Sequence, residues 1–176
     1  MRLEKYIIES EGDIQPTTEM KAYFNKRTRD HISYVSKGAI ILSKEFPEIS
    51  QELLARTRQH DRSKYSKDEY IPYVWMCWKK KKGNEKFEYH SEVVETAVKK
   101  AIDHHIKSNR HHPEFHGDVN SMSVIDIAEM CCDWHAFHYE FGDDTKKWAD
   151  NNIGKRWKFN EMSTKLIYRY VGVLMK

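Results

Sequence analysis

The sequence predicts an all-α fold, a helical bundle of about seven helices. Three observations predict it. Apolar residues recur at helical spacing through most of the chain, strict apolar/polar alternation is almost absent, and 176 residues hold only 7 glycines and 4 prolines. The charged fraction of 32% is high, but 12% aromatics supply bulk for a core and argue against disorder. A chain of this length buries such a core without disulfides or a structural metal.

Taken in order, residues 1–16, with Gly12 and Pro16, read as an N-terminal arm with a short strand at Tyr6-Ile7-Ile8. Residues 17–176 read as one all-helical domain. Thr17 or Thr18 caps a long first helix that runs to about Phe46. Its stripe is Met20, Tyr23, Phe24, His31, Tyr34, Val35, Gly38 and Leu42. Pro47 ends that segment, and Ser50 opens a second helix through Leu53 and Leu54 to about Gln59. Ser66-Lys67-Asp68-Glu69 has the spacing of a capping box and starts a third helix through Tyr70, Tyr73, Val74 and Trp78. Lys82-Gly83-Asn84 is a turn. A fourth helix spans about 88–108, with Val94, Ala97, Val98, Ala101 and Ile102 on one face. Residues 109–122 form a polar loop. A fifth helix runs from near Ser123 to about Phe141, where Gly142-Asp143-Asp144 breaks it. Two more follow, near 145–152 and 160–174. The last carries Leu166, Ile167, Tyr170, Val171 and Leu174, which either complete the core or pair in a homodimer.

The net charge is +3, from 30 basic and 27 acidic side chains. That balance excludes a protein that coats nucleic acid, and nucleic acid is not an expected partner. The local exception, Lys79-Lys80-Lys81-Lys82, reads as a solvated helix end, with attraction of an anionic substrate or an RNA contact as the alternative. Cys77, Cys131 and Cys132 form neither a disulfide framework nor a zinc-ribbon pattern, which points to a reducing compartment. With no apolar signal segment and no apolar run of 18 residues, the expected location is the cytoplasm, off the membrane. No glycine-rich phosphate loop is present.

Ten histidines stand out. Imidazole is the commonest metal ligand and carries a proton near neutral pH. His60-Asp61 offers an imidazole and a carboxylate side by side, with Lys64 three residues beyond the aspartate to reach an anion. His31 lies in the apolar stripe of the first helix, on the face that must be buried. Asp126, Glu129 and Asp133 share one face of the fifth helix and adjoin its apolar stripe. Carboxylates at a core edge are costly unless a cation meets them, although a solvated acidic face is the plain alternative. Five further histidines crowd residues 104–116. His105 falls on the stripe of its helix and His104 points away, so His105 is the better inward ligand. His90, about 22 Å along the helix from His105, belongs to no common site.

In this order the residues resemble the HD-domain superfamily of metal-dependent phosphohydrolases, over about residues 20–140. Within it, His60 to Tyr65, Glu69 to Tyr73, His104 to Glu114, and Glu129 to Trp134 look like the motifs of a small bacterial and phage family. The resemblance implies that His31, His60, Asp61 and Asp133 ligate a divalent metal (Mn, Co, Mg, Ni, Zn or Fe). It implies a second ion at His105 with His111 or His112, of which His112 is taken in the ligand set. Asp61, Lys64 and Glu129 are then the catalytic candidates, with Lys64 and Arg110 at the phosphate.

The function this implies is hydrolysis of a nucleotide phosphoester or phosphoanhydride by metal-activated water. Tyr65, Tyr73, Trp75, Trp78 and Trp134 are candidates to stack the base, against core packing as the alternative. Two other functions compete: a di-iron oxygenase, as in a few HD proteins, and a non-catalytic binding module stabilised by its metal.

Overall fold

In the computed structural model the described residues are 15–83, 88–89 and 91–176. The strand expected at Tyr6–Ile8, the rest of the arm to Ile14, Asn84 and His90 lie outside them. Among the described residues there are seven α-helices and no β-strand. They are α1 Thr18–Glu45, α2 Pro47–Thr57, α3 Tyr70–Lys82, α4 Glu92–Ser108, α5 Val124–Phe141, α6 Thr145–Asn152 and α7 Glu161–Leu174. The fold is all-α, as the apolar spacing predicts. No helix among the described residues is long and apolar enough to cross a membrane.

The described residues divide into two compact units, one within 15–28 and 62–105, the other of 29–61 and 106–176. The first unit buries Met20 and Phe24 of α1, Tyr73, Val74, Trp75, Cys77 and Trp78 of α3, and Val94, Val98 and Ala101 of α4. Three of the aromatics proposed as base-stacking groups are therefore core, while Tyr65 is exposed. Lys79–Lys82 make up the last turn of α3, where cations offset the negative end of the helix dipole. The ammonium groups of Lys81 and Lys82 lie 4.3 and 4.8 Å from the Trp78 ring centroid.

The second unit is built around α5. Every residue from Ile125 to Ala136 is buried, including its three carboxylates. The helix packs against α2, α6 and α7. Ser123 caps it with a true capping box, in which Asp126 answers from the third position. Gly142, at φ 78, ends it in the left-handed region that a residue without a Cβ adopts most easily. Trp134 stacks on Trp157 at 5.8 Å, so this tryptophan too is packing. Ile167, Tyr170, Val171 and Leu174 of α7 repeat at helical spacing and are buried in this unit's core, so that face completes the core.

Two helix starts differ from expectation. Pro47 does not merely end α1; it is the first residue of α2. Its fixed φ suits a first helical position, where the missing N–H would have had no partner. The capping box expected at Ser66–Glu69 does not form: α3 starts at Tyr70 with no side-chain cap. Glu69 instead turns inward, fully buried, and accepts from Ser63 Oγ at 3.0 Å, His104 Nδ1 at 2.7 Å and His105 Nδ1 at 2.8 Å. Three donors stabilise a buried carboxylate more than one amide at a solvated helix end does.

Leu53 of α2 is fully buried in the second unit. Leu53→Ala is expected to cost about 2–5 kcal/mol by leaving a cavity that a packed core fills only in part. A urea titration would show it as a lowered midpoint with an unchanged slope.

Candidate metal centre

The second unit brings four of the sequence-predicted ligands together: His31, His60, Asp61 and Asp133. His31 comes from the middle of α1, 5% exposed, with its ring against Phe137. Its Nε2 lies 3.0 Å from Asp133 Oδ1 and 3.6 Å from Asp61 Oδ2. His60 and Asp61 follow α2 at a sharp turn in which Asp61 has φ 58. Left-handed backbone disfavours most side chains, and Asp tolerates it better than nearly all. In extended chain, neighbouring side chains point to opposite faces; here both turn the same way, with His60 Nε2 3.6 Å from Asp61 Oδ1. Strain of this kind collects at functional positions.

The carboxylate face of α5 is not solvated. Asp126, Glu129 and Asp133 are 0, 4 and 8% exposed. Asp133 Oδ1 also lies 3.3 Å from His60 Nε2. Glu129 Oε1 accepts from His60 Nδ1 at 3.0 Å, which leaves Nε2 as the atom turned to the aspartates. Behind it, Arg56 donates from Nη2 to Glu129 Oε2 and from Nη1 to Asp126 Oδ1, both at 2.6 Å. Asp126 further accepts from Arg110 Nε at 3.1 Å, from Arg110 Nη2 at 3.0 Å and from the Ser123 amide at 2.8 Å.

These residues fit a cation. His31, His60 and Asp61 form a buried group able to hold a metal ion, and Asp133 Oδ1 closes on both imidazoles. Ligands about 2.1 Å from an ion at right or tetrahedral angles stand about 3.0–3.4 Å apart, close to the edges seen here. His60 Nε2 is buried and makes no hydrogen bond among the described residues. Electrostatics agree. Burial opposes a charge on His60, yet Asp61, Asp133 and Glu129 outweigh it and push its pKa up to about 10. Burial likewise opposes charge on Asp133, but His31 and His60 hold its carboxyl well below the usual range. Without an ion, the cluster takes a proton in its place.

Of the adjacent pair His111-His112, His111 is the one at this cluster. It is 3% exposed, its ring lies 4.2 Å from that of His60, and its Nε2 is 3.7 Å from Asp61 Oδ1. Burial, then the neighbouring His60 and His112, depress its pKa well below the usual value, so it is a neutral imidazole at pH 7. The His112 ring lies tilted against that of His111, with centroids 4.2 Å apart. Glu114 anchors this loop by accepting from Arg156 Nη2 at 2.7 Å and Trp157 Nε1 at 3.1 Å. His105 and Lys64 belong to the first unit. There His105 meets Glu69 and Ser63, and Lys64 Nζ lies 5.4 Å from the Tyr73 centroid. Three histidines without a sequence-assigned role have structural ones. His116 Nε2 bonds to the Arg110 carbonyl, His138 Nδ1 to that of Asp143, and His135 Nδ1 to Thr145 Oγ1.

A pocket of about 340 Å³ opens beside the cluster, lined by Arg56, Gln59, Asn109, Arg110, His111 and Glu129 among others. Sequence reasoning placed Arg110 there but missed Arg56. Its one signal was position, in the last turn of α2 and four residues before His60. An arginine on an amphipathic helix is otherwise unremarked.

No curated protein and no solved structure matches the chain. One family model does, over residues 20–172, a span that holds every residue of the cluster. The chain belongs to that family, DUF5662, a family of unknown function.

Proposed function

We infer that this protein is a metal-dependent phosphohydrolase of the HD type, acting on a phosphoester or phosphoanhydride bond, with nucleotides as the expected substrates. The observation that supports this most is the convergence of His31, His60, Asp61 and Asp133 on one buried point beside a pocket lined by two arginines. Two imidazoles and two carboxylates suit a first-row divalent ion such as Mn, Co, Ni, Fe or Zn better than Mg. Such an ion supplies Lewis acidity toward a phosphoryl oxygen and activates water near neutral pH.

The chain's own residues set the rest. Glu129 keeps the His60 proton on Nδ1 and the Nε2 lone pair on the cluster. Arg56 spends two of its five donors on carboxylates, and Arg110 spends Nε and one Nη2 hydrogen. Both line the pocket with donors left over, placed for the charge that grows on phosphoryl oxygens in the transition state. His111, neutral and buried, orients rather than repels a cation. The two aspartates favour the ion as well: Arg56 already pairs Glu129, whereas without an ion Asp61 and Asp133 face an anionic substrate with only the His60 proton to offset them.

The test is elemental analysis of protein purified without a histidine tag, followed by a panel of nucleoside mono-, di- and triphosphates with Mn, Co, Ni and Mg. The expected result is one bound ion in the second unit and release of phosphate or pyrophosphate that stops with chelation. Fully loaded protein that leaves the whole panel intact would reject hydrolysis and leave a structural ion.

A further inference from the structure

We propose that Arg56 is a positioning residue: through Glu129 it fixes the orientation of the His60 ring, and thereby sets the affinity of the cluster for its ion. The inference rests on the metal reading above and concerns a residue that touches none of the four ligands by hydrogen bond.

The geometry is that of a relay. The two oxygens of Glu129 are divided: Oε2 accepts from Arg56 Nη2 at 2.6 Å, and Oε1 accepts from His60 Nδ1 at 3.0 Å. Arg56 spans from Glu129 to Asp126, which stand one helical turn apart on α5. A planar guanidinium fork matches two carboxylates so spaced, and a single ammonium does not. Asp126 in turn cannot follow Arg56 if it swings. Two donors from Arg110 and the amide and hydroxyl of Ser123 hold it in place. The Glu129 carboxylate plane is therefore fixed from behind by a charge-assisted contact whose own anchor is rigid. Remove the fork, and the carboxylate is free to rotate about its last torsion, so His60 Nδ1 loses its aligned acceptor. Partners that orient a ligand imidazole in this way typically govern metal affinity by about 10–100-fold.

A double-mutant cycle decides it. Mn(II) affinity is measured by calorimetry for wild type, Arg56→Met, Glu129→Gln and the double variant. Zn(II)-loaded samples are followed by imidazole 15N NMR, a readout that a merely structural role would not move. Expected are a loss of about 10–100-fold in each single variant, a double variant no weaker than the weaker single, and a changed His60 Nδ1 signal in Arg56→Met. Losses that multiply in the double variant, or an Arg56→Met protein with wild-type affinity, would overturn the proposal. Should Arg56→Met fail to fold, Arg56→Lys replaces it, since it keeps the charge and stem but not the fork. It too is expected to bind Mn(II) more weakly, and unchanged affinity overturns the relay. Wild-type protein that takes up neither Mn(II) nor Zn(II) rejects the metal reading instead. The relay is then decided in metal-free protein by the His60 Nδ1–H resonance, protected from exchange in wild type and exposed in Arg56→Met; protection in both overturns it.

Discussion

On the proposed function, Asp61→Ala is expected to abolish ion binding and hydrolysis together. Asp61 is 2% exposed, and its two oxygens face different imidazoles, Oδ1 toward His60 and Oδ2 toward His31, each at 3.6 Å. Removing it takes out the carboxylate that joins the two sides of the cluster. The loss in affinity should exceed the roughly 100-fold typical of changes one shell further out. Alanine also carries a backbone cost, because a Cβ without a compensating polar group sits at φ 58. Asp61→Asn separates the two effects. Asparagine tolerates the left-handed region and keeps the shape, but offers a neutral oxygen in place of an anion. It is expected to fold with a near-normal melting temperature and to come through dialysis without its ion. Asp61→Asn protein that retains a stoichiometric ion by elemental analysis would remove Asp61 from the ligand set.

The second large effect is on pH. In the metal-free protein His60 is raised from an ordinary 6.5 to about 10. The folded state therefore holds a proton that the unfolded chain releases. The sign follows from linkage: this stabilisation is complete below about pH 6.5, and it is lost as pH rises through about 10. Between those limits an ion must displace the proton from His60. Metal affinity is thus expected to tighten by about tenfold per pH unit from pH 7 to pH 9, with about one proton released from His60 per ion bound. Calorimetry in two buffers of different ionisation enthalpy reads that proton directly. Over the same range the metal-free protein should become easier to unfold in urea, while the loaded protein should not. A metal affinity that does not change with pH would mean the ion binds elsewhere than at His60 Nε2. At the acid end His111 acts in the opposite sense. Its depressed pKa favours the folded state above its usual titration range and disfavours it as pH falls below that range.

How much of this was legible beforehand varies with how local the cause is. The seven helices follow from spacing within ten or twenty residues, and the apolar faces of α5 and α7 lie where that spacing puts them; on α4, Val94, Val98 and Ala101 are buried as expected, but Ile102 is exposed and His105 takes the buried position one turn after Ala101. His31, His60, Asp61 and Asp133 were nameable from their order and residue type. Glu129 was nameable as a partner, though not for which atom. The helix start at Tyr70 was misjudged because a local signal, the serine cap, competes with burial, and that at Pro47 because the proline acts as a first helical residue and not only as a stop. Glu69 follows the three donors it meets inside the first unit rather than the amide beside it.

The sequence by itself determined a helical protein with an ordered set of imidazoles and carboxylates on faces that must be buried, since periodicity and residue chemistry are properties of short stretches. Only the tertiary structure decided how those groups are paired. It chose His111 over His112 at the cluster, because an irregular loop has no periodicity to read and its path is set by Glu114 holding Arg156 and Trp157. It also revealed Arg56, because a bond across 70 residues to Asp126 leaves no local trace. The contacts that shape the site, His31 with Asp133 across 102 residues and His60 with Glu129 across 69, form only when helices pack. The charges that hold the ion's place are identifiable one by one; their summed field exists only once burial has stripped them of water.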